Sequence, residues 1–266
     1  MNEYLIKQPL RHWWLTALLI AVNIGVFAAQ VLQGVSFTEP SIVDLINWGA
    51  DFAPLTLTTE NWRLLSSMFL HIGIVHLLVN MWALYLFGTY AEFYYSRLWY
   101  VLIYLLGGIG GNLASNFVSV QDAGKFLQSP TAEALQRYVP SVGAGASGAI
   151  MALGGALLIA ALWPKADLEP KYRLNKNALV MLVLLNLGFG LFVEGINNAA
   201  HLGGFIAGVV LALGYRISLA LPLAVKYMVQ IVVAIAAVYL IYAINEWLMI
   251  QAQHMLPFWS KHIVIQ

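Results

Sequence analysis

A serine, an asparagine and two histidines stand inside stretches of sequence that are otherwise almost wholly apolar. The chain reads His71-Ile72-Gly73-Ile74-Val75-His76-Leu77-Leu78-Val79-Asn80, then Gly145-Ala146-Ser147-Gly148, then Ala200-His201-Leu202-Gly203-Gly204. Polar and ionisable groups are expensive in hydrocarbon, so several of them in one bundle point to a site. A serine hydroxyl is a weak nucleophile until a neighbouring base takes its proton, and histidine is the commonest such base. His76 and Asn80 are four residues apart and share a helix face. Such a pair suits donation to a carbonyl oxygen that gains negative charge during acyl transfer.

The elements that hold these groups follow from composition. The chain is 61% hydrophobic and only 9% charged. Soluble domains carry about 25% charged residues, so this composition is that of a polytopic membrane protein. With no cysteine, a thiol nucleophile, a Cys-ligated metal and disulfides are excluded. A net charge of +1 gives no support for nucleic-acid binding. His71 and His76 are five apart, a poor match to the i, i+4 pair of a helical zinc site, and no metal or organic cofactor is expected.

Seven apolar stretches are long enough to cross a hydrocarbon core of about 30 Å, near 13–33, 65–88, 98–118, 145–163, 176–194, 198–216 and 226–248. Lys7 and Arg11 ahead of the first stretch, with Val26-Phe27-Ala28 as a cleavage-like sequence, resemble a secretory signal peptide. The apolar run exceeds an ordinary signal core, so a retained first helix is expected. With the N-terminus in the cytoplasm, Lys7, Arg11, Arg97, Lys165, Lys171, Arg173, Lys176, Arg216 and Lys226 fall inside, and only Arg63, Lys125, Arg137 and Lys261 outside. Nine basic residues against four obeys the positive-inside rule. Two outer loops are long. Residues 34–62 read as an interfacial loop with short helices, and 119–143 as the most soluble stretch, with a short helix at 132–138.

Three of the predicted spans run from outside to inside and carry the polar residues at one depth. Ser147 lies 16 residues above Trp163, His201 15 above Arg216, and His76 16 above Glu92. At 1.5 Å per residue these are heights of about 24, 22 and 24 Å. Ser147 is followed at i+7 by Gly154 and His201 by Gly208, and Gly204 to Gly208 forms a GxxxG stripe. Such stripes let helices approach closely in lipid. Close approach of these two helices would bring hydroxyl and imidazole together.

The combination Trp62-Arg63, His76-xxx-Asn80, Gly145-Ala146-Ser147-Gly148 and Ala200-His201-xx-Gly204-xxx-Gly208 resembles the rhomboid family of intramembrane serine proteases. A GxSG or a GxxxG alone is weak, but all four motifs in the family's order and on the expected spans are specific. The resemblance covers the first six spans. It implies an all-α polytopic fold with a six-helix core plus one C-terminal helix. The expected divisions are a cytoplasmic segment at 1–12, a catalytic core at 13–219 and an added helix and tail at 220–266. It further implies Ser147 as nucleophile, His201 as general base and acid, and an oxyanion hole of His76, Asn80 and the Ser147 N–H. Trp62-Arg63 would end a structured outer loop, and the fifth span, with Asn186, Gly188 and Gly190, would lie on the side where substrate enters. Several bacterial members have an aromatic residue four after the serine. Met151 stands there in this chain, and a thioether can also pack against imidazole.

Each residue taken alone has a blander reading. Ser147 would ease helix packing, His76 and Asn80 would be interhelical hydrogen-bonding groups, and His201 a structural histidine. His71 is expected nearer the surface, in a structural or water-contacting role. Two other functions stand beside the protease. One is a catalytically inactive rhomboid-like protein that binds membrane helices, although this chain keeps both serine and histidine. The other is a small-solute transporter, although no inverted repeat and no mid-span acid is evident. The expected protein is an intramembrane serine endopeptidase that cleaves transmembrane substrates near the membrane boundary through an acyl-enzyme. It would be a multi-pass protein of a bacterial inner membrane, with lipid and substrate helices as its partners.

Overall fold

The computed structural model describes residues 9–131, 133–134, 138–165, 168–192 and 197–262. Among the described residues the regular elements are eleven α-helices and a few 3-10 turns, with one isolated β-bridge. Eleven α-helices follow one another: α1 (Trp14–Leu32), α2 (Ile42–Asn47), α3 (Ala53–Thr56), α4 (Arg63–Ser66), α5 (Gly73–Tyr94), α6 (Arg97–Gln128), α7 (Ser147–Leu162), α8 (Lys176–Phe192), α9 (Asn198–Ser218), α10 (Leu223–Gln253) and α11 (Leu256–His262). Of these, α1, α5, α6, α9 and α10 are long and apolar enough to cross a membrane, and α7 and α8 are shorter apolar helices. The fold is that of a polytopic membrane protein, a six-helix core followed by one further helix of membrane length, α10. Apolar side chains such as Val75, Leu78, Val79 and Trp82 on α5, and Ile231, Val232 and Ile235 on α10, face outward. In lipid such faces need no cover.

The centre of the bundle is α6, α7 and α9, packed backbone to backbone. A Cβ placed on Gly204 would lie 2.1 Å from the carbonyl oxygen of Gly148, and one on Gly208 2.0 Å from that of Ala152. A Cβ on Gly155 would meet Phe205 O at 2.4 Å. Only hydrogen fits at these points, which is the physical content of the GxxxG stripe. The far ends of α7 and α9 are level, because Arg216 Nε donates to Trp163 O at 2.6 Å and its guanidinium lies over the Trp163 ring. Glu92, near the end of α5, accepts the N–H groups of Leu15 and Thr16. It thereby satisfies donors that the first turn of α1 would leave unpaired.

The loop at 34–62 carries the expected short helices. Ser41 caps α2 by accepting the Asp44 N–H and donating to the Asp44 carboxylate. Arg63 is buried and works as the loop's anchor. Its guanidinium donates to Ile46 O at 2.6 Å and Ala50 O at 3.0 Å, pairs with Glu60, and lies 4.9 Å from the Trp62 ring centroid.

Two boundaries differ most from the sequence reading. The second span begins at Gly73 rather than 65, because 63–69 folds as α4 and a 3-10 turn and 70–72 turns back into the protein. His71 is therefore buried, with its ring 5.3 Å from that of His76, and not near the surface. The third span continues as helix to Gln128, so 119–128 is helix and not loop. Its apolar face there meets α10 and α11, where Phe126 packs on Phe258 with ring centroids 4.5 Å apart. α11 has no counterpart among the expected elements. The helix expected at 132–138 lies largely outside the described residues, as do Lys7, Arg137 and Glu194.

Candidate active site

Ser147 opens α7, whose 16 residues rise about 24 Å, short of a hydrocarbon core of about 30 Å. The helix can start late because the preceding chain is fastened inside the protein. Gly143 pairs with Asp51 in the β-bridge through N···O contacts of 2.7 and 2.8 Å. Gly145 donates its N–H to Ser67 O at 2.9 Å. Gly145 has φ +135°, a conformation side chains rarely adopt, and a Cβ there would lie 2.8 Å from His76 Cε1. Glycine at 145 thus permits both the turn and the approach of the His76 ring.

His76 occupies the first turn of α5. The Ile72 N–H donates to its Nδ1 at 3.2 Å, so the proton belongs on Nε2, which with Cε1 forms the ring edge facing Gly145. That nitrogen lies 3.1 Å from the Cβ position of Gly145, and Asn80 Nδ2 lies 3.9 Å from the same point. The two side chains therefore face one turn of chain, two residues ahead of the serine. Asn80 is buried and already donates one amide hydrogen to His76 O at 2.9 Å. An amide has two such hydrogens, so one remains.

His201 is buried in the first turn of α9. Asn197 caps that turn by accepting the Ala200 N–H at 3.0 Å, and ties it to α6 by donating to Ser115 Oγ at 2.6 Å. The Gly204–Gly148 contact joins the turn after His201 to the residue after Ser147. Ala200 O lies 2.6 Å from the Cβ position of Gly111 on α6. Among the described residues no hydrogen bond joins Ser147 Oγ to His201, and His201 Nδ1 has no partner. Catalytic hydrogen bonds are often long without substrate and tighten around it. Met151, four residues after the serine, is buried.

Four supporting residues escaped the sequence reading. Asp51, Asn112, Asn116 and Asn197 all hold chain next to the site. Asn112 donates to Ser67 Oγ and Leu64 O, and Asn116 to the Asp51 carboxylate. A signal was present for two of them: Asn112 and Asn116 sit four apart on an apolar helix, the pattern that singled out His76 and Asn80.

The magnitude of an effect separates chemistry from packing on α5. If Asn80 donates to a developing oxyanion, Asn80→Ala lowers kcat by on the order of 10²–10³ with little change in KM. His76→Ala follows the same pattern. If both only join helices, their removal costs about 0.6 kcal/mol of stability and leaves turnover near normal. Measuring kcat and the melting temperature in one detergent decides between them, and lowered melting with unchanged kcat would refute the donor role.

Comparison with known proteins covers the same region. A family model for the Rhomboid domain matches residues 58–218. Over 193 residues the chain is 37% identical to Rhomboid protease GluP of Bacillus subtilis (strain 168), an alignment covering 73% of this chain and 33% of that protein. It is 32% identical over 214 residues to Rhomboid protease AarA of Providencia stuartii, covering 76% and 72% respectively. RHOMBOID-like protein 6, mitochondrial, of Arabidopsis thaliana is 32% identical over 189 residues, 68% of this chain and 53% of that protein. The chain thus spans from a third to nearly three quarters of the length of these relatives. The matched region runs from the loop that Arg63 anchors to the end of the helix that carries His201, and the chain belongs to the rhomboid family.

Proposed function

We propose that this protein is an intramembrane serine endopeptidase, with residues 13–219 as its catalytic core. The reading rests above all on the contact between Gly148 and Gly204, which sets the Ser147 turn of α7 against the His201 turn of α9. The names of the bacterial relatives support the same activity.

In this mechanism Ser147 Oγ attacks the carbonyl carbon of a substrate peptide bond while His201 takes the hydroxyl proton. The carbonyl oxygen becomes an oxyanion beside His76 Nε2–H, the free Asn80 amide hydrogen and the Ser147 N–H. That N–H belongs to the first turn of α7, where backbone donors have no helical partner and the helix dipole favours negative charge. Collapse of the tetrahedral adduct breaks the C–N bond, and His201 gives its proton to the leaving amine. Water then attacks the acyl-enzyme with His201 again as base, which releases the acid and restores Ser147. No cofactor enters.

Substrates are membrane-spanning segments. An intact helix has its backbone hydrogen-bonded, so cleavage requires local unwinding near Gly, Pro or polar residues. The membrane is a bacterial inner membrane with the N-terminus in the cytoplasm, an orientation that the distribution of basic residues supports, and α8 flanks the entry side. A fluorophosphonate probe tests the reading directly, because only an activated hydroxyl attacks it. The expected result is a single adduct at Ser147 by mass spectrometry, together with cleavage of a model transmembrane substrate. An adduct elsewhere, or none on folded protein, would favour helix binding or transport.

A further inference from the structure

Asp51 is a buried carboxylate that the proposed chemistry does not use. We propose that Asp51 is a positioning residue that sets the height of the nucleophile: it ties the segment before Ser147 to α6, the helix that also holds the His201 turn. The inference rests on the proposed role of Ser147.

The backbone of Asp51 exchanges two hydrogen bonds with Gly143, four residues before Ser147. Its side chain accepts from Thr56 Oγ1 at 2.7 Å and from Asn116 Nδ2 at 3.1 Å. One turn earlier on α6, Asn112 donates to Ser67 Oγ at 2.9 Å, and Ser67 O receives the Gly145 N–H. Both fastenings of the 143–146 segment therefore end on α6 through neighbouring asparagines. The same helix meets Ala200 O at Gly111 and, through Ser115, the Asn197 cap of α9. α6 is thus the common reference for the serine and histidine turns.

Burial pushes the Asp51 carboxyl up to about 6, against the hydrogen bonds from Thr56 and Asn116 and the nearby positive charge of Arg63, which itself pairs with Glu60. A carboxylate is costly at such a place, whereas an apolar residue could fill it without that cost. What an apolar residue lacks is an acceptor for both donors.

The test uses the full chain in detergent, with Asp51→Ala and Asp51→Asn. Melting temperature, kcat and KM on a model transmembrane substrate, and the rate of fluorophosphonate labelling are measured where each variant is folded. A misplacement of about 1 Å costs on the order of 10²-fold in rate. Asp51→Ala is expected to lower kcat and the labelling rate by about that factor with KM within about twofold. Asp51→Asn, whose amide oxygen accepts both hydrogen bonds, restores most of the loss. Labelling of Asp51→Ala at the wild-type rate, whatever its melting temperature, overturns the proposal, as does an equal loss in Asp51→Asn. If Asp51→Ala does not fold, Asn116→Ala takes its place, with an expected drop in labelling of about tenfold and the wild-type rate as the refuting result. Cleavage by Ser147→Ala would instead overturn the assignment of the nucleophile, a separate outcome.

Discussion

Ser147→Ala and His201→Ala are each expected to reduce cleavage of a transmembrane substrate to background while leaving a folded protein, and the double variant to be no worse than either. In the proposed mechanism the serine supplies the bond-forming oxygen, so without it no acyl-enzyme forms, and the imidazole supplies the base, without which the hydroxyl remains unreactive. Groups that act as one unit are non-additive, because the second removal takes away nothing that still functions. Folding should survive both changes. α7 begins without a side-chain cap, and the α9 turn is held by Asn197, Gly204 and Gly208. The measurement is initial rate with purified variants, alongside a melting curve for each. Appreciable cleavage by Ser147→Ala would remove the nucleophile assignment. Additive losses in the double variant would mean that serine and histidine act independently.

The second large effect is expected at Gly204. In an exposed helix, Gly→Ala stabilises by about 1 kcal/mol through propensity. At 204 the sign reverses, because the new Cβ would lie 2.1 Å from Gly148 O and 2.8 Å from Gly148 C. Both are backbone atoms, so the clash cannot be relieved by a side-chain rotation. α7 and α9 would have to separate by about 1 Å, enough to cost on the order of 10²-fold in rate. Overpacking of this kind typically also costs 1–3 kcal/mol in stability. Gly204→Val should be worse than Gly204→Ala. Gly124, on the C-terminal extension of α6, has nothing within 4 Å of its Cβ position, and Gly124→Ala is the control that should keep activity and match or exceed the wild-type melting temperature. Normal kcat and melting in Gly204→Ala would show that the two helices are not in backbone contact there.

Much of the candidate site was legible in the sequence. An α-helix has a fixed rise and a fixed periodicity, so residue counts alone put His76, Ser147 and His201 at similar heights. Trp163 and Arg216, at the C-terminal ends of the serine and histidine helices, are hydrogen-bonded to one another in the structure. Hydropathy marks helices reliably because backbone groups in lipid must be satisfied within the segment. The glycines at 204 and 208 announced a close helix contact for the same local reason.

Sequence by itself determined what depends on near neighbours along the chain: which stretches are membrane helices, which polar residues share a face, and where two helices can touch. Tertiary structure alone decided the rest. The stretch from 65 to 72 is apolar enough to read as the top of a span, yet it folds inward beside the buried Arg63, where Ser67 and Leu70 are buried too, and it carries His71 inward with it. Residues 119–128 are polar enough to read as loop, yet they stay helical where Val120, Ala123 and Phe126 have α10 and α11 to pack against. Asp51 and Asn116 lie 65 residues apart, and Asn197 and Ser115 82. No spacing rule links such pairs, because a carboxylate or an amide pairs with whichever donor the packed helices bring to it. The precise height of the serine therefore depends on contacts that exist only once the bundle has closed.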